Sequence, residues 1–173
     1  MIPRNASDAP DVSAPDAFSA FYRSHLPTVY GYLLRLSGGD HGLAEDLTQD
    51  AWFALVQALQ QGRRECADVR WLITVARSRY IDHVRRVERG RRKFALIAND
   101  LTDVVEADEP PSRAAVLADV DSLEPNHRLV LMMRYVDEMS VPEIAPLISR
   151  SLAATNSLLA RARHELRQIR GQR

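Results

Sequence analysis

Nine basic residues crowd the stretch from Arg70 to Lys93: Arg70, Arg77, Arg79, Arg85, Arg86, Arg89, Arg91, Arg92 and Lys93. Only Asp82 and Glu88 oppose them, which leaves a net +7. Arg70 and Arg77 stand seven apart, as do Arg79 and Arg86, so each pair shares a helical face. At about 1.5 Å per residue the stretch makes a cationic ridge nearly ~35 Å long, matched to a phosphate backbone. Trp71, Tyr80 and His83 are interleaved with the cations. Aromatics beside cations suit unpaired bases, because stacking contributes roughly 1–3 kcal/mol per base. A merely solvated helix face, its last arginines favoured by the helix macrodipole, would carry the same charges. An inward Trp71 beside Leu72 would be core rather than a base platform.

Two further stretches hold chemistry. "AEDLTQDAW" (44–52) sets Glu45, Asp46, Gln49 and Asp50 off the apolar stripe 43/47/51/55, so they crowd a solvent-facing patch. Acids in a first turn stabilise a helix by about 0.3–1 kcal/mol each, which accounts for Glu45 and Asp46 better than for Gln49 and Asp50. Such a patch beside an exposed Trp52 would also dock a basic partner helix. "SVPEIAPLISRSLAATNSLLARARHEL" (140–166) has the rhythm of a helix-turn-helix, opened by a capping box at Ser140 and Glu143. From Arg161 to Arg173, five arginines oppose Glu165 alone.

The elements that must carry these groups are helical. Phe18, Phe21, Tyr22, Leu26, Val29, Tyr30, Leu33 and Leu34 recur at spacings of three and four over residues 16–37. Pro27 is expected to divide that run into two nearly continuous helices. A second helix is expected from about Leu43 to Gln60, then a loop, then a third from about Val69 to Arg92. Residues 94–112 lose the pattern, carry Asp100, Asp103, Glu106, Asp108 and Glu109 without a cation, and close on Pro110-Pro111. That reads as a linker. Helices follow at about 113–123, 125–136 and 140–148, and after the turn Ser149-Arg150-Ser151 a last one from Leu152 to about Arg170. The expected fold is all-α: two small lobes of about four helices each, with boundaries at 1–15 (leader), 16–93, 94–112 (acidic linker) and 113–173.

Bulk properties agree. Of 173 residues 46% are hydrophobic, enough for cores, while only 6% are aromatic and Gly numbers 7, which favours helices over sheets. The net charge is zero, with 23 basic and 23 acidic residues, so the uneven placement of charge is the useful datum. Lys93 is the only lysine. Arg makes bidentate contacts to phosphate and guanine, although an Arg-favouring codon usage gives the same bias. Cys66 stands alone, so no intrachain disulfide or Cys-based zinc site is expected, and its thiol reads as structural or incidental. The five His show no metal spacing and no Gly-rich phosphate loop occurs, so no catalytic residue, metal or cofactor is expected. No apolar run nears the roughly 20 residues of a membrane helix. Residues 1–16 lack a signal-peptide core, so a cytoplasmic protein without membrane insertion is expected.

Four stretches in this order, "FSAFYRSHLPTVYGYLLRLSG", "AEDLTQDAW", "VRWLITVARSRYIDHVRR" and "LEPNHRLVLMMRYVDEMSVPEIA", resemble a bacterial RNA polymerase sigma factor of the extracytoplasmic-function type. The resemblance covers about residues 17–170. It implies a sigma region 2-like helical bundle over 16–93 and a region 4-like helix-turn-helix over 113–173. It places binding of core RNA polymerase, through the clamp coiled coil of the largest subunit, on Glu45, Asp46, Leu47, Gln49, Asp50 and Trp52, with the flap as a further contact. It places recognition and melting of the minus-10 promoter element on the loop 61–69 and the basic helix, with Arg70, Trp71, Arg77, Ser78, Arg79, Tyr80, His83, Arg85 and Arg86 as candidates. There a base is flipped into a loop pocket, at a cost of a few kcal/mol offset by pocket contacts. Members often have Asn where this chain has Ser78. The resemblance also implies an anti-sigma factor as partner, and a linker that threads a basic channel; a soluble spacer serves equally.

The helix meant to read the minus-35 element is poor in reading groups. Members commonly show "G.S.GTVKSRLHRAR" where this chain has "SRSLAATNSLLARAR". Ser149 replaces the turn glycine, Asn156 the usual Lys or Arg, and Leu158 an Arg, while Pro146 sits inside the preceding helix. The candidates that remain are Arg150, Thr155, Asn156, Ser157, Ala160, Arg161, Arg163 and His164. Phosphate contacts position without specifying, and Asn pairs bidentately with adenine. The expectation is a minus-35 contact that leans on backbone, DNA shape and tethering, with specificity resting on the minus-10 element. A free-standing helix-turn-helix regulator and a helical interaction protein with degenerate DNA binding are the alternatives. The first leaves "AEDLTQDAW" unexplained; the second suits the weakened helix.

Overall fold

The computed structural model describes residues 15–92 and 110–172. The expected leader and most of the acidic linker lie outside the described residues. Among the described residues seven α-helices follow one another: α1 (Pro15–Leu36), α2 (His41–Gln60), α3 (Val69–Arg92), α4 (Arg113–Asp119), α5 (Pro125–Leu131), α6 (Val141–Leu147) and α7 (Leu152–Gly171). No strand occurs among the described residues, so the all-α class holds. The chain divides into two compact units, Met1–Leu34 with Asp40–Tyr80 and Arg35–Gly39 with Ile81–Arg173.

The first unit is built on the apolar stripes. Val29 and Leu33 of α1, Ala44, Ala51 and Leu55 of α2, and Leu72 and Ala76 of α3 are all fully buried. Asp40 starts α2 by accepting the Leu43 N–H at 3.0 Å, and Asp68 serves α3 by accepting the Arg70 N–H at 2.8 Å. A left-handed Gly62 (φ 79) ends α2. The Arg63 N–H reaches back to the Ala58 carbonyl and the Gly62 N–H to Leu59, each at 2.9 Å, which satisfies carbonyls a helix end leaves open. A short 3-10 turn at Arg64–Cys66 leads into α3. Pro27 does not divide α1, which runs through it without a break. The proline costs one backbone bond, but Phe21 before it and Val29, Tyr32 and Leu33 after it are all buried and hold one continuous face. This region therefore holds three α-helices where four were expected.

In the second unit Val116, Val130, Leu131, Met133, Ile144 and Ala162 form a core with almost no exposure. Ser112 caps α4 by accepting the Ala115 N–H at 3.1 Å. The expected helix 113–123 ends its α-form at Asp119 and tightens into a 3-10 turn, Val120–Ser122. The helix expected over 125–136 widens after Leu131 into a π-turn, Met132–Val136. Ser140 and Glu143 form the expected capping box: Glu143 Oε2 accepts from the Ser140 N–H at 2.7 Å and from its hydroxyl at 2.6 Å. Those bonds hold the Glu143 carboxyl below its ordinary pKa. Arg128 is buried and donates to four carbonyls, those of Leu36 (2.9 Å), Val120 (3.1 Å), Asp121 (3.2 Å) and Leu123 (2.7 Å).

Candidate nucleic-acid interface

The basic helix is α3. Arg70, Ser78, Arg79 and Arg86 are exposed, and Trp71, Arg77 and His83 are half-buried. Tyr80 is 2% exposed, so it belongs to the core and has no ring face to offer a base. It falls on the inward stripe with Leu72 and Ala76, which overrides its place between two cations. Trp71 is half-buried and does not join the core. It lines a cleft of about 350 Å³ in the first unit, together with Gln57, Gln61, Arg63, Ser78 and Arg79. An indole face, two amide side chains, a hydroxyl and two guanidinium groups there suit stacking on a planar base and hydrogen bonds to its edge. Gln61 and Arg63 belong to the loop 61–69 expected to take part in minus-10 recognition, whereas Gln57 did not figure among the expected contacts. Its signal was present in the sequence: Gln57 and Gln61 stand at i and i+4 and share a face at the end of α2.

Arg85 points elsewhere. It donates to the Leu147 carbonyl at 2.6 Å and to the Ser149 hydroxyl at 2.7 Å, both at the end of α6 within the second unit.

On α2, Glu45, Asp46, Gln49 and Asp50 are exposed and make an acidic face. Leu47 (6% exposed) and Trp52 (5%) do not join it. Leu47 belongs to the buried stripe. Trp52 packs edge-on against Phe18, Phe21 and Tyr22, with ring centroids 6.3, 5.9 and 4.7 Å away, and anchors the first unit instead of projecting from it. The exposed aromatic of this patch is Phe53, 63% exposed and four residues from Gln49.

α6, the turn and α7 form the helix-turn-helix. The turn is built as at Gly62: the Arg150 N–H reaches the Ala145 carbonyl at 3.0 Å and the Ser149 N–H reaches Pro146 at 3.2 Å. Ser149 takes the left-handed position, with φ 54, where a glycine is the usual residue. Ser151 then caps α7 by accepting the Ala154 N–H at 3.1 Å. Along α7, Asn156 and His164 are exposed, and Ser157, Ala160, Arg161 and Arg163 are half-buried. Thr155 is fully buried and its hydroxyl donates to the Ser151 carbonyl at 2.9 Å, so it holds the helix start and reaches no base. Leu158, 4% exposed, likewise faces the core. Arg163, Arg167 and Arg170 gather around a cleft of about 320 Å³ beside Pro111, a cationic edge suited to phosphate.

The Cys66 thiol is buried, and that burial, the largest influence on it, pushes its pKa up. It stays protonated and unreactive at neutral pH. Among the described residues no group of His, Cys, Asp and Glu is placed to hold a metal ion. No helix there is long and apolar enough to cross a membrane.

Set against known proteins, residues 21–90 match the family described as Sigma-70 region 2, and residues 113–166 match Sigma-70, region 4. The chain is 31% identical to the ECF RNA polymerase sigma factor SigE of Mycolicibacterium smegmatis over 91% of this chain and 63% of that one. It is 28% identical to the ECF RNA polymerase sigma factor BldN of Streptomyces coelicolor, over 89% of this chain and 60% of that one. It thus spans less than two thirds of the length of both relatives. With the RNA polymerase sigma factor CarQ of Myxococcus xanthus it shares 29% identity over 92% of each chain. The sigma factor RpoE of Bartonella quintana, solved in complex with the anti-sigma factor NepR, is similar in fold: TM-score 0.50 and 18% identity over 87% of this chain and 94% of that chain.

Proposed function

Because this chain belongs to the extracytoplasmic-function type of bacterial RNA polymerase sigma factors, we propose that it is an alternative promoter-specificity subunit. It binds core polymerase, recognises and opens promoter DNA, and so starts transcription in the cytoplasm. It binds and separates strands and performs no catalysis of its own. The single observation that carries this reading is the cleft beside Trp71, where a base-sized recess of mixed polar and apolar lining opens on the exposed flank of a strongly cationic helix.

The roles divide by region: 16–93 for polymerase and the minus-10 element, 113–173 for the minus-35 element, and 94–112 as tether. The acidic face of α2 (Glu45, Asp46, Gln49, Asp50), with Phe53 beside it, takes the polymerase clamp. Arg70, Arg77, Arg79 and Arg86 hold phosphates of the unwound strand. The cleft receives a base turned out of the stack, read by Gln57, Gln61 and Arg63. On α7, Asn156 near the helix start is an exposed amide able to read a base edge, and Arg161, Arg163 and His164 contribute positioning. Minus-35 recognition therefore leans on backbone and shape. The sigma factor RpoE of the similar structure is held by an anti-sigma factor, and an anti-sigma partner is proposed here as well.

The test is transcription by core polymerase plus this chain on fragmented genomic DNA, with start sites mapped. A shared upstream element, more sensitive to substitution at minus-10 than at minus-35, is the expected result. No stimulated starts, or a dominant minus-35 element, would refute the reading.

A further inference from the structure

Within the second unit, we propose that Arg85 is a latch: it caps the helix-turn-helix turn in the free chain and must let go before the promoter is engaged. The inference rests on the sigma-factor reading above. It starts from the end of α6. That end offers the Leu147 carbonyl, one of the carbonyls a helix terminus leaves without an internal partner. It also holds Ser149 left-handed at φ 54, where the equivalent turn after α2 has Gly62 at φ 79. Arg85 meets both features with one nitrogen, Nη2, at 2.6 Å from the Leu147 oxygen and 2.7 Å from the Ser149 hydroxyl oxygen. A cation at a helix carboxyl end is favoured by the macrodipole as well. A glycine in the turn would bring no hydroxyl, so the serine supplies the acceptor that makes the grip two-pronged.

The surroundings fit the grip. Ile81, Val84, Leu129, Ile148 and Leu158 share the lining of one narrow cleft with Arg85. Ile81, Val84, Leu129 and Leu158 are all under 9% exposed. Leu158 stands on the recognition helix, and as a buried apolar residue it serves this seam instead of DNA. The poor reading chemistry of α7 thus has a second use.

The grip cannot persist on a promoter. Elements named minus-10 and minus-35 lie about 25 base pairs apart, roughly 85 Å of duplex at 3.4 Å per base pair. α3, with its 24 residues, is only about 36 Å long at 1.5 Å per residue. With α3 on the first element and α7 on the second, Arg85 and Ser149 cannot stay within hydrogen-bond distance. Promoter engagement therefore selects the released form, and the apparent affinity falls by the fraction of chain still latched.

Two variants of the full chain test this without touching a proposed DNA contact. Ser149→Gly removes the acceptor and suits the left-handed turn better than serine, so folding is preserved. Ser149→Asn keeps an oxygen acceptor and tolerates the same turn. Two readouts are taken: the Arg85 guanidinium signals of 15N-arginine-labelled chain, assigned by Arg85→Lys, and the chain concentration that half-saturates run-off transcription by core polymerase on the mapped promoters. The wild type and Ser149→Asn are expected to show an ordered Arg85 guanidinium, and Ser149→Gly a more mobile one, left with the Leu147 carbonyl alone. Ser149→Gly then half-saturates at about three- to ten-fold lower concentration, as a larger released fraction requires. Equal half-saturation by Ser149→Gly and wild type overturns the latch, whatever the Arg85 signal shows. If no variant supports transcription, the sigma-factor reading falls instead.

Discussion

At the scale of single residues, burial separates side chains that adjoin a functional motif from those that perform its function. Trp52 and Asp50 stand two apart in one acidic motif, yet Trp52 is packed among three aromatic rings and Asp50 is exposed. Trp52→Ala is expected to lose about 3–5 kcal/mol of folding stability, as large aromatic truncations in a core do. Asp50→Ala should leave stability within about 0.5 kcal/mol, as substitutions at exposed positions do. The order reverses for polymerase affinity measured on folded protein: Asp50→Ala weakens binding, whereas Trp52→Ala acts only through the folded fraction. Urea unfolding and binding to core polymerase, run on both variants, check the two halves. A folded Trp52→Ala chain of unchanged stability would sink the assignment. Four candidate contacts, Leu47, Trp52, Tyr80 and Thr155, lie inside for one shared reason. Sequence shows that a residue falls within a motif, but only the phase of the helix shows which way it points. Leu47 and Tyr80 already lay on their apolar stripes and were legible there. Trp52 and Thr155 were not, because each depends on what the facing helix brings against it.

The start of α6 was the most legible feature at the next scale, because capping is local chemistry: Ser140 and Glu143 form the expected box. The continuous α1 through Pro27 and the π-turn after Leu131 were not legible, since long-range packing overrides local preference in both. The capping box at α6 has a pH signature. Ser140 bonds lower the Glu143 pKa from its ordinary 4.5, so its carboxylate contributes stability above that value. The contribution is lost as pH falls through the lowered pKa. Ser140→Ala is expected to lower stability at neutral pH, as the loss of a cap does. Urea unfolding from pH 7 downward should show that deficit narrowing in acid, as the wild-type box comes apart. A deficit that stays constant to the bottom of the carboxylate range would mean that Glu143 takes no part in the cap.

For the whole molecule the decisive property is where charge sits, and that is legible in the sequence: a neutral chain with +7 concentrated between Arg70 and Lys93. What sequence did not disclose is that Arg35–Gly39 belongs with Ile81–Arg173, because no periodicity records which distant segments meet. The reading of the two DNA elements divides the chain's cations into two kinds, and salt tells them apart. Each phosphate neutralised on single-stranded DNA contributes about 0.7 to the slope of log affinity against log salt. Replacing Arg77, Arg79 and Arg86 together by glutamine should therefore flatten the slope by about 2, measured for polymerase carrying this chain on a single-stranded minus-10 oligonucleotide. The same substitutions should lower affinity alike for matched and mismatched oligonucleotides, because phosphate contacts hold every sequence equally. Gln57→Ala and Gln61→Ala should behave in the opposite way: an unchanged slope, and a loss of discrimination at one base worth about 1–3 kcal/mol. If the triple substitution left the slope as steep as before, these cations of α3 would not touch the strand. The cleft beside Trp71 would then lose the backbone contacts that bring a base to it.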